Sequence, residues 1–131
     1  GGRAYVYLCY GLHQMFNIVT NEEGTAHAIL VRALEPLEGI DVMLRRTGKA
    51  KADATLTRGP GNVGKALGFH TSQCGLALDS RELFIADDGF RYPEEAIGVS
   101  PRIGVDYAGE DALLPYRFFI RGHASVSGKP R

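Results

Sequence analysis

The alternation of hydrophobic and polar positions is clearest near the start of the chain. The run Tyr5-Val-Tyr-Leu-Cys-Tyr-Gly11 alternates like a β-strand and reaches a glycine, and a second extended run follows from Met15 to Thr20. The two runs predict a β-hairpin with Tyr10, Leu12 and His13 near its tip. Large side chains at an exposed tip lower solubility unless they insert into a partner. The base stack of a DNA duplex is one such partner, because an inserted side chain can displace a nucleotide from it.

The pattern beyond this hairpin predicts an α+β fold. The apolar run Ala26–Leu34 predicts a third strand buried on both faces. Glu35-Pro36 predicts the start of a helix that ends at Gly48, and a second short helix is expected after residues 58–62. Inward-facing positions are expected at Leu37, Ile40 and Leu44 in the first helix and at Val63, Ala66 and Leu67 in the second. Further extended pieces are expected at residues 83–86, 97–99, 102–105 and 116–121. We therefore expect a single domain over residues 1–131, with a curved, mostly antiparallel, open barrel-like sheet, a protruding β-hairpin and a few short helices.

Composition agrees with one globular domain of modest size. The chain has 131 residues, of which 44% are hydrophobic and 23% charged. It contains no apolar run of membrane-spanning length and no signal-peptide pattern at its start. Its two cysteines and four histidines lack metal-ligand spacing, so we expect reduced thiols, no metal and no cofactor. The first residue is glycine and a strand begins almost at once, which leads us to expect part of a longer protein.

Charge is distributed unevenly although the net charge is zero. Residues 44–65 carry an excess of five positive charges, from Arg45, Arg46, Lys49, Lys51, Arg58 and Lys65 against Asp53. A basic segment in a neutral protein is a candidate phosphate-facing patch. A solvated helix end and loop explains the same charges, and the pattern alone leaves both interpretations open.

A few residues stand out because their chemistry conflicts with their surroundings. Arg32 lies within an apolar strand and needs acceptors, which could be Glu35, Glu38 or a backbone carbonyl, or an anion or water at the floor of a site. Asn17 is unusual in a strand unless its amide has a task. Tyr5 is expected in the core, as most strand aromatics are. Residues 59–64 form a glycine-rich turn that could meet one phosphate or could simply begin a helix.

Several segments resemble, in order, the alkyladenine (3-methyladenine, methylpurine) DNA glycosylase family. They are Tyr5-Val-Tyr-Leu-Cys-Tyr-Gly11, Asn17, Leu30-Val-Arg-Ala-Leu-Glu-Pro-Leu-Glu-Gly39, Gly59-Pro-Gly61, Ala66-Leu-Gly68, Arg102-Ile-Gly-Val105, Ala108-Gly-Glu110 and Pro115-Tyr-Arg-Phe-Phe-Ile-Arg-Gly122. The resemblance covers nearly the whole chain. It implies a monofunctional base-excision repair enzyme that flips a damaged purine out of double-stranded DNA. Such an enzyme hydrolyses the N-glycosidic bond with an activated water and leaves an abasic site.

The resemblance also implies roles for individual residues. Tyr10 would intercalate into the gap left by the flipped base, with Leu12 and His13 beside it in the minor groove. Tyr7 would stack on the flipped base, and Asn17 would crowd the 2-amino group of normal guanine. Arg32 and the backbone carbonyl of Ile103 would hold the nucleophilic water. Contacts to the DNA would come from Gly104, whose lack of a side chain permits close approach, and from the turn containing Gly59 and Asn62.

One part of the family pattern is missing from the sequence. The family's general base is a glutamate upstream of the tyrosine hairpin, in a segment that also brings a histidine and a tyrosine to the pocket. We therefore expect residues 1–131 to be the C-terminal two-thirds of such a glycosylase and to be inactive alone. The alternatives are a non-catalytic module that binds damaged DNA and a β-rich domain whose hairpin aromatics are core. We expect a monomer without membrane contact. In a prokaryote it would be cytoplasmic and associated with the nucleoid, and in a eukaryote it would be nuclear.

Overall fold

The computed structural model describes residues 1–20, 27–102, 114 and 116–126. The predicted hairpin is confirmed: β1 (Arg3–Cys9) pairs antiparallel with β2 (His13–Val19). Its register places Tyr5 opposite Asn17 and Cys9 opposite His13. A short third strand, β3 (Ala28–Leu30), pairs antiparallel with the other edge of β2.

A second, separate sheet lies further along the chain. It consists of β4 (Ile97–Ser100) and β5 (Arg117–Ile120), which pair antiparallel. The fold is thus α+β with antiparallel strands, but the described strands form two small sheets rather than one open barrel-like sheet. The strand expected at residues 83–86 is reduced to an isolated bridge between Asp79 and Phe84. The one expected at 102–105 falls almost wholly outside the described residues.

The described residues include two helices of eight residues, α1 (Ile40–Thr47) and α2 (Pro60–Leu67). Helix α2 packs on the first sheet, and α1 packs on α2. Helix α1 begins later than Glu35-Pro36 predicts, because Gly39 adopts the left-handed conformation (φ 71°) and so interrupts any helix before it. The expected stop is confirmed, since the Gly48 N–H donates to the carbonyl oxygen of Leu44. Single 3₁₀ turns lie at Ala54–Leu56, Thr71–Gln73 and Glu94–Ala96. Within the described ranges, no helix is long and apolar enough to cross a membrane.

The main core lies between the first sheet and α2. Its buried residues are Ala4, Val6, Phe16, Val63, Phe69 and Leu78, and the rings of Phe16 and Phe69 stack with centroids 4.1 Å apart. A Cβ atom at Gly64 would overlap the carbonyl oxygen of Gln14, so this glycine is what allows α2 to approach β2 closely. A second cluster, Met43, Leu56 and Ala66, joins α1 to α2. Inward positions are confirmed for Val63 and Ala66, whereas Leu37 precedes α1 and is 81% exposed.

The prediction that the third strand is buried on both faces is wrong. Strand β3 has only three residues and lies at the edge of its sheet, and Ile29 is 56% exposed. A run of apolar residues predicts an extended conformation, but it cannot predict which layer covers the strand.

Candidate nucleic-acid interface

The hairpin ends in a tight turn that forces a tyrosine into an unfavourable backbone conformation. The Leu12 N–H donates to the Cys9 carbonyl oxygen at 3.1 Å, and both central residues have positive φ, 53° at Tyr10 and 66° at Gly11. Positive φ at both central positions is the signature of a type I′ turn, which favours asparagine followed by glycine. Tyr10 is the only non-glycine residue in the described part of the chain with positive φ. A bulky side chain there carries strain, and strain of this kind concentrates at functional sites.

The tip side chains stand in solvent. Tyr10 is 95% exposed and Leu12 73%, which argues against the interpretation that these tip residues belong to the core. His13 is exposed at the base of the tip and lies against the start of α2, where a Cβ at Gly61 would be 2.8 Å from the histidine Nδ1. His13, next to the hairpin tip, therefore lies against the glycine-rich turn.

Within that turn, Gly59 and Asn62 have local structural roles. Gly59 has φ 97°, a conformation open to glycine, and precedes the first residue of α2. The Asn62 amide nitrogen donates to the carbonyl oxygens of Thr55 (3.1 Å) and Arg58 (2.9 Å). Asn62 thereby fixes the connection into α2, and its side chain remains exposed at the surface.

One face of the hairpin carries the side chains expected to line a base pocket. Tyr5 and Tyr7 share this face, with ring centroids 5.6 Å apart and planes tilted by 36°. The expectation that Tyr5 is in the core is wrong, since it is 47% exposed while its neighbours on the opposite face are buried. Asn17 is only 6% exposed, and its amide nitrogen donates to the carbonyl oxygens of Tyr5 (3.4 Å) and Met15 (3.3 Å). These bonds hold the amide beside the two rings.

Arg32 lies near this aromatic face and lacks the acidic partners considered from the sequence. Its Nε atom is buried and has no hydrogen-bond partner among the described residues. Glu35 instead lies 3.7 Å from His123. Burial lowers the pKa of Arg32, the Arg117 charge lowers it further, and Tyr7 opposes both effects. A half-buried guanidinium with an unused donor is suited to hold an anion or a polarised water.

Arg117 is the residue that sequence reasoning missed. It is 4% exposed, its Nη1 donates to the Ser100 hydroxyl at 3.3 Å, and its guanidinium lies 4.8 Å from the centroid of the Phe119 ring. Burial lowers its pKa. The signal was available in the sequence, because Arg117 stands among apolar residues just as Arg32 does.

The cationic side chains of the basic segment, residues 44–65, fall into two groups. Arg46 donates to the Ala66 carbonyl at the end of α2, Lys49 to the Thr55 hydroxyl, and Arg58 twice to the Ala124 carbonyl. These three cations hold loops and helix ends together. Arg45, Lys51 and Lys65 are exposed and remain candidates for phosphate contact.

Two expected site residues, Ile103 and Gly104, lie outside the described residues. Among the residues that are described, no cluster of three His, Cys, Asp or Glu side chains could hold a metal ion. The described part contains an exposed tyrosine in a strained turn, an aromatic face with a buried amide, and Arg32, whose pKa is lowered by burial and by the Arg117 charge.

Comparison with known proteins identifies the family. The family model described as "Methylpurine-DNA glycosylase (MPG)" matches residues 1–124. Proteins named "Putative 3-methyladenine DNA glycosylase" match from Chlorobaculum parvum (44% identity, 96% of this chain, 58% of the relative), Bacillus cereus strain G9842 (42%, 98% and 66%) and Chlamydia abortus (43%, 92% and 62%). The chain thus spans about three-fifths of the length of these curated relatives. With the matched residues covering most of the sequence, the chain belongs to the methylpurine-DNA glycosylase family.

Proposed function

We propose that this chain is the lesion-binding part of a DNA-repair glycosylase that removes alkylated or deaminated purines from double-stranded DNA. The observation that carries the proposal is Tyr10, a bulky side chain held 95% exposed in a strained turn at the end of a two-stranded hairpin. A hydrophobic wedge in this position can unstack a base step and occupy the space of an extruded nucleotide. Leu12 and His13 flank the wedge in the minor groove.

The flipped purine would lie against the open face of the hairpin. Tyr7 stacks on the base, a contact of about 1–3 kcal/mol by analogy with other aromatic–base pairs. The buried Asn17 amide crowds the 2-amino group that guanine carries and adenine-derived lesions lack. The turn at Gly59 and the exposed Asn62, together with Gly104, contact the backbone of the duplex.

Hydrolysis needs a water held at the sugar carbon. Arg32, whose Nε lacks a partner among the described residues, and the carbonyl oxygen of Ile103 would hold this water. Its oxygen bonds to C1′ as the C1′–N bond breaks, and the bonding electron pair leaves with the purine. The water's proton passes to a carboxylate general base. No described carboxylate is among the groups that perturb Arg32, and we propose that a longer form of the protein supplies it.

Excision assays test this proposal and its corollary that residues 1–131 are inactive alone. Both this chain and an N-terminally longer form are incubated with a hypoxanthine-containing duplex, and strand nicking is measured after alkali. We expect nicking by the longer form only. The excision rates of the two forms should differ by roughly 10²–10⁴-fold or more, because a general base contributes an acceleration of that size. Equal nicking by both forms would contradict the corollary, and no nicking by either would contradict the enzyme assignment.

A second candidate is a non-catalytic monomeric module that recognises damaged DNA. It rests on the same exposed Tyr10 in a strained turn, which a binding module would use as a wedge as well. Both functions would use Tyr10 as the wedge, but only the glycosylase would break the glycosidic bond. Lesion-specific binding by a longer form that leaves the glycosidic bond intact would support the module. Binding measured across salt concentrations should weaken steeply in either case, because phosphate contacts release counterions.

A further inference from the structure

Helix α2 lies directly against the part of β2 that follows the hairpin tip. A Cβ at Gly61 would be 2.8 Å from the Nδ1 atom of His13, and one at Gly64 would overlap the Gln14 carbonyl oxygen. Both glycines therefore face β2, and their lack of a side chain lets the helix backbone approach the strand closely. The first turn of α2 consequently lies next to the tip that carries Tyr10.

Lys65 lies on the side of α2 that borders the hairpin. It follows Gly61 by four residues, so it is on the same side of the helix and about 6 Å further along the axis. Ala66, which is two residues after Gly64 and therefore on the opposite side, packs in the cluster that contains Met43 of α1. Lys65 is exposed, so its side chain is in solvent beside the hairpin rather than between the two helices.

The charge of Lys65 is not used to hold the fold together. Three other cations of the basic segment donate hydrogen bonds to loops and helix ends, whereas Lys65 has no hydrogen bond or ion pair with a described residue. The hairpin, residues 3–19, and α2, residues 60–67, also contain no aspartate or glutamate. The surface that these two elements form therefore carries positive charge without a carboxylate of its own, which favours the approach of a phosphate.

We propose that Lys65 contacts a backbone phosphate of double-stranded DNA beside the Tyr10 wedge, on undamaged and damaged duplexes alike. The minor groove of B-DNA is only about 6 Å wide, so phosphates lie close to any side chain inserted in it. A phosphate contact positions a protein on the duplex and carries no information about the base. Lys65 thus serves binding to any duplex, whereas Tyr10 acts only where a base leaves the stack. The choice of DNA as the partner rests on the proposed function, but the contact itself needs neither a lesion nor bond cleavage.

The salt dependence of binding separates the two roles. Fluorescence anisotropy gives Kd between about 50 and 200 mM salt for an undamaged duplex and a hypoxanthine duplex of the same length. The proteins are wild type, Lys65→Gln, Lys65→Arg, Tyr10→Asn and the matched control Arg45→Gln. Arg45 is an exposed cation of the same basic segment, and it lies two residues after Met43, on the side of α1 that faces away from α2.

Loss of one phosphate contact should lower the slope of log Kd against log salt by about 0.9. We expect this change in Lys65→Gln on both duplexes, so its Kd should rise roughly three- to fourfold less than that of wild type over the same salt range. Lys65→Arg, which keeps the charge, and Arg45→Gln should both retain the wild-type slope. Tyr10→Asn should lose affinity for the hypoxanthine duplex alone, with its slope unchanged. Thermal unfolding of Lys65→Gln should match wild type, because lysine and glutamine have similar helix propensities.

A wild-type slope in Lys65→Gln would overturn the proposal, and so would an equal reduction in Lys65→Gln and Arg45→Gln or a reduction on the hypoxanthine duplex alone. Equal affinity of wild type for the two duplexes, with a slope that depends on Lys65, would refute lesion recognition and support the phosphate contact. Preference for the hypoxanthine duplex with a slope that is independent of Lys65 would do the reverse. Absence of binding to either duplex would refute both.

Discussion

Replacing Tyr10 by asparagine should separate folding from DNA binding. Tyr10 has φ 53° in a turn closed by the Leu12 N–H, and its side chain is 95% exposed, so truncation removes almost no packing. The left-handed conformation costs a bulky residue about 1 kcal/mol, and asparagine tolerates it. We therefore expect Tyr10→Asn to raise the free energy of unfolding by about 0.5–1 kcal/mol, equivalent to a Tm increase of roughly 2–4 °C at this chain length.

The affinity of Tyr10→Asn for DNA should fall although its folded state is more stable. If Tyr10 fills the space of an extruded base, its loss removes about 1–3 kcal/mol of stacking, which corresponds to roughly a 5- to 150-fold weaker Kd. Thermal unfolding gives the first quantity, and fluorescence anisotropy with a labelled hypoxanthine duplex gives the second. Tyr10→Phe is the matched control because it keeps both the ring and the backbone strain, and it should resemble wild type in both assays.

The result that would refute this reasoning is a loss of stability in Tyr10→Asn. It would mean that the tyrosine ring contributes to the fold although it is exposed. Unchanged affinity for the lesion duplex would instead show that the ring is not a wedge. Tyr10→Ala should give the same binding defect with a smaller gain in stability, because alanine adopts positive φ less readily than asparagine.

Three further predictions concern the scaffold and the pocket. Gly64→Ala should destabilise the protein by about 3 kcal/mol or more in urea unfolding, because the added Cβ would overlap the Gln14 carbonyl oxygen. Gly61→Ala is the control and should destabilise the protein much less, because its Cβ would contact only the movable His13 ring. Asn17→Ser should increase excision of normal guanine relative to hypoxanthine in a protein that cleaves, and an unchanged ratio would remove Asn17 from the specificity determinants. Hydrogen bonds from the Thr55 side chain and backbone lower the pKa of Asp53 in the folded protein. The stabilisation from Asp53 is therefore present above its unfolded-state pKa and is lost as pH falls through the lower folded value. The difference in unfolding free energy between wild type and Asp53→Ala should accordingly disappear on acidification below about pH 4. A difference that persists at such pH would contradict this assignment.

Local sequence patterns determine much of the fold. Alternation and a glycine placed the hairpin and its tip at Tyr10, and Gly48 marked the end of α1. The inward spacing of Val63 and Ala66 predicted α2 and its buried side, although the helix begins at Pro60, within the turn expected at residues 58–62. These features follow from backbone preferences and periodicity within a few residues, so the sequence alone is sufficient to predict them.

Only the tertiary structure decided what covers each element and which distant groups meet. Tyr5 was expected in the core and is half-exposed, since alternation defines two faces of a strand without saying which is packed. The charge of Arg117, which belongs to the other sheet, lowers the pKa of Arg32 although the two residues are far apart in the chain, and no local pattern encodes this effect. The basic segment likewise divided into cations that hold the fold together and cations that face solvent. Burial and long-range electrostatics depend on how layers assemble, and in this protein they define the candidate site.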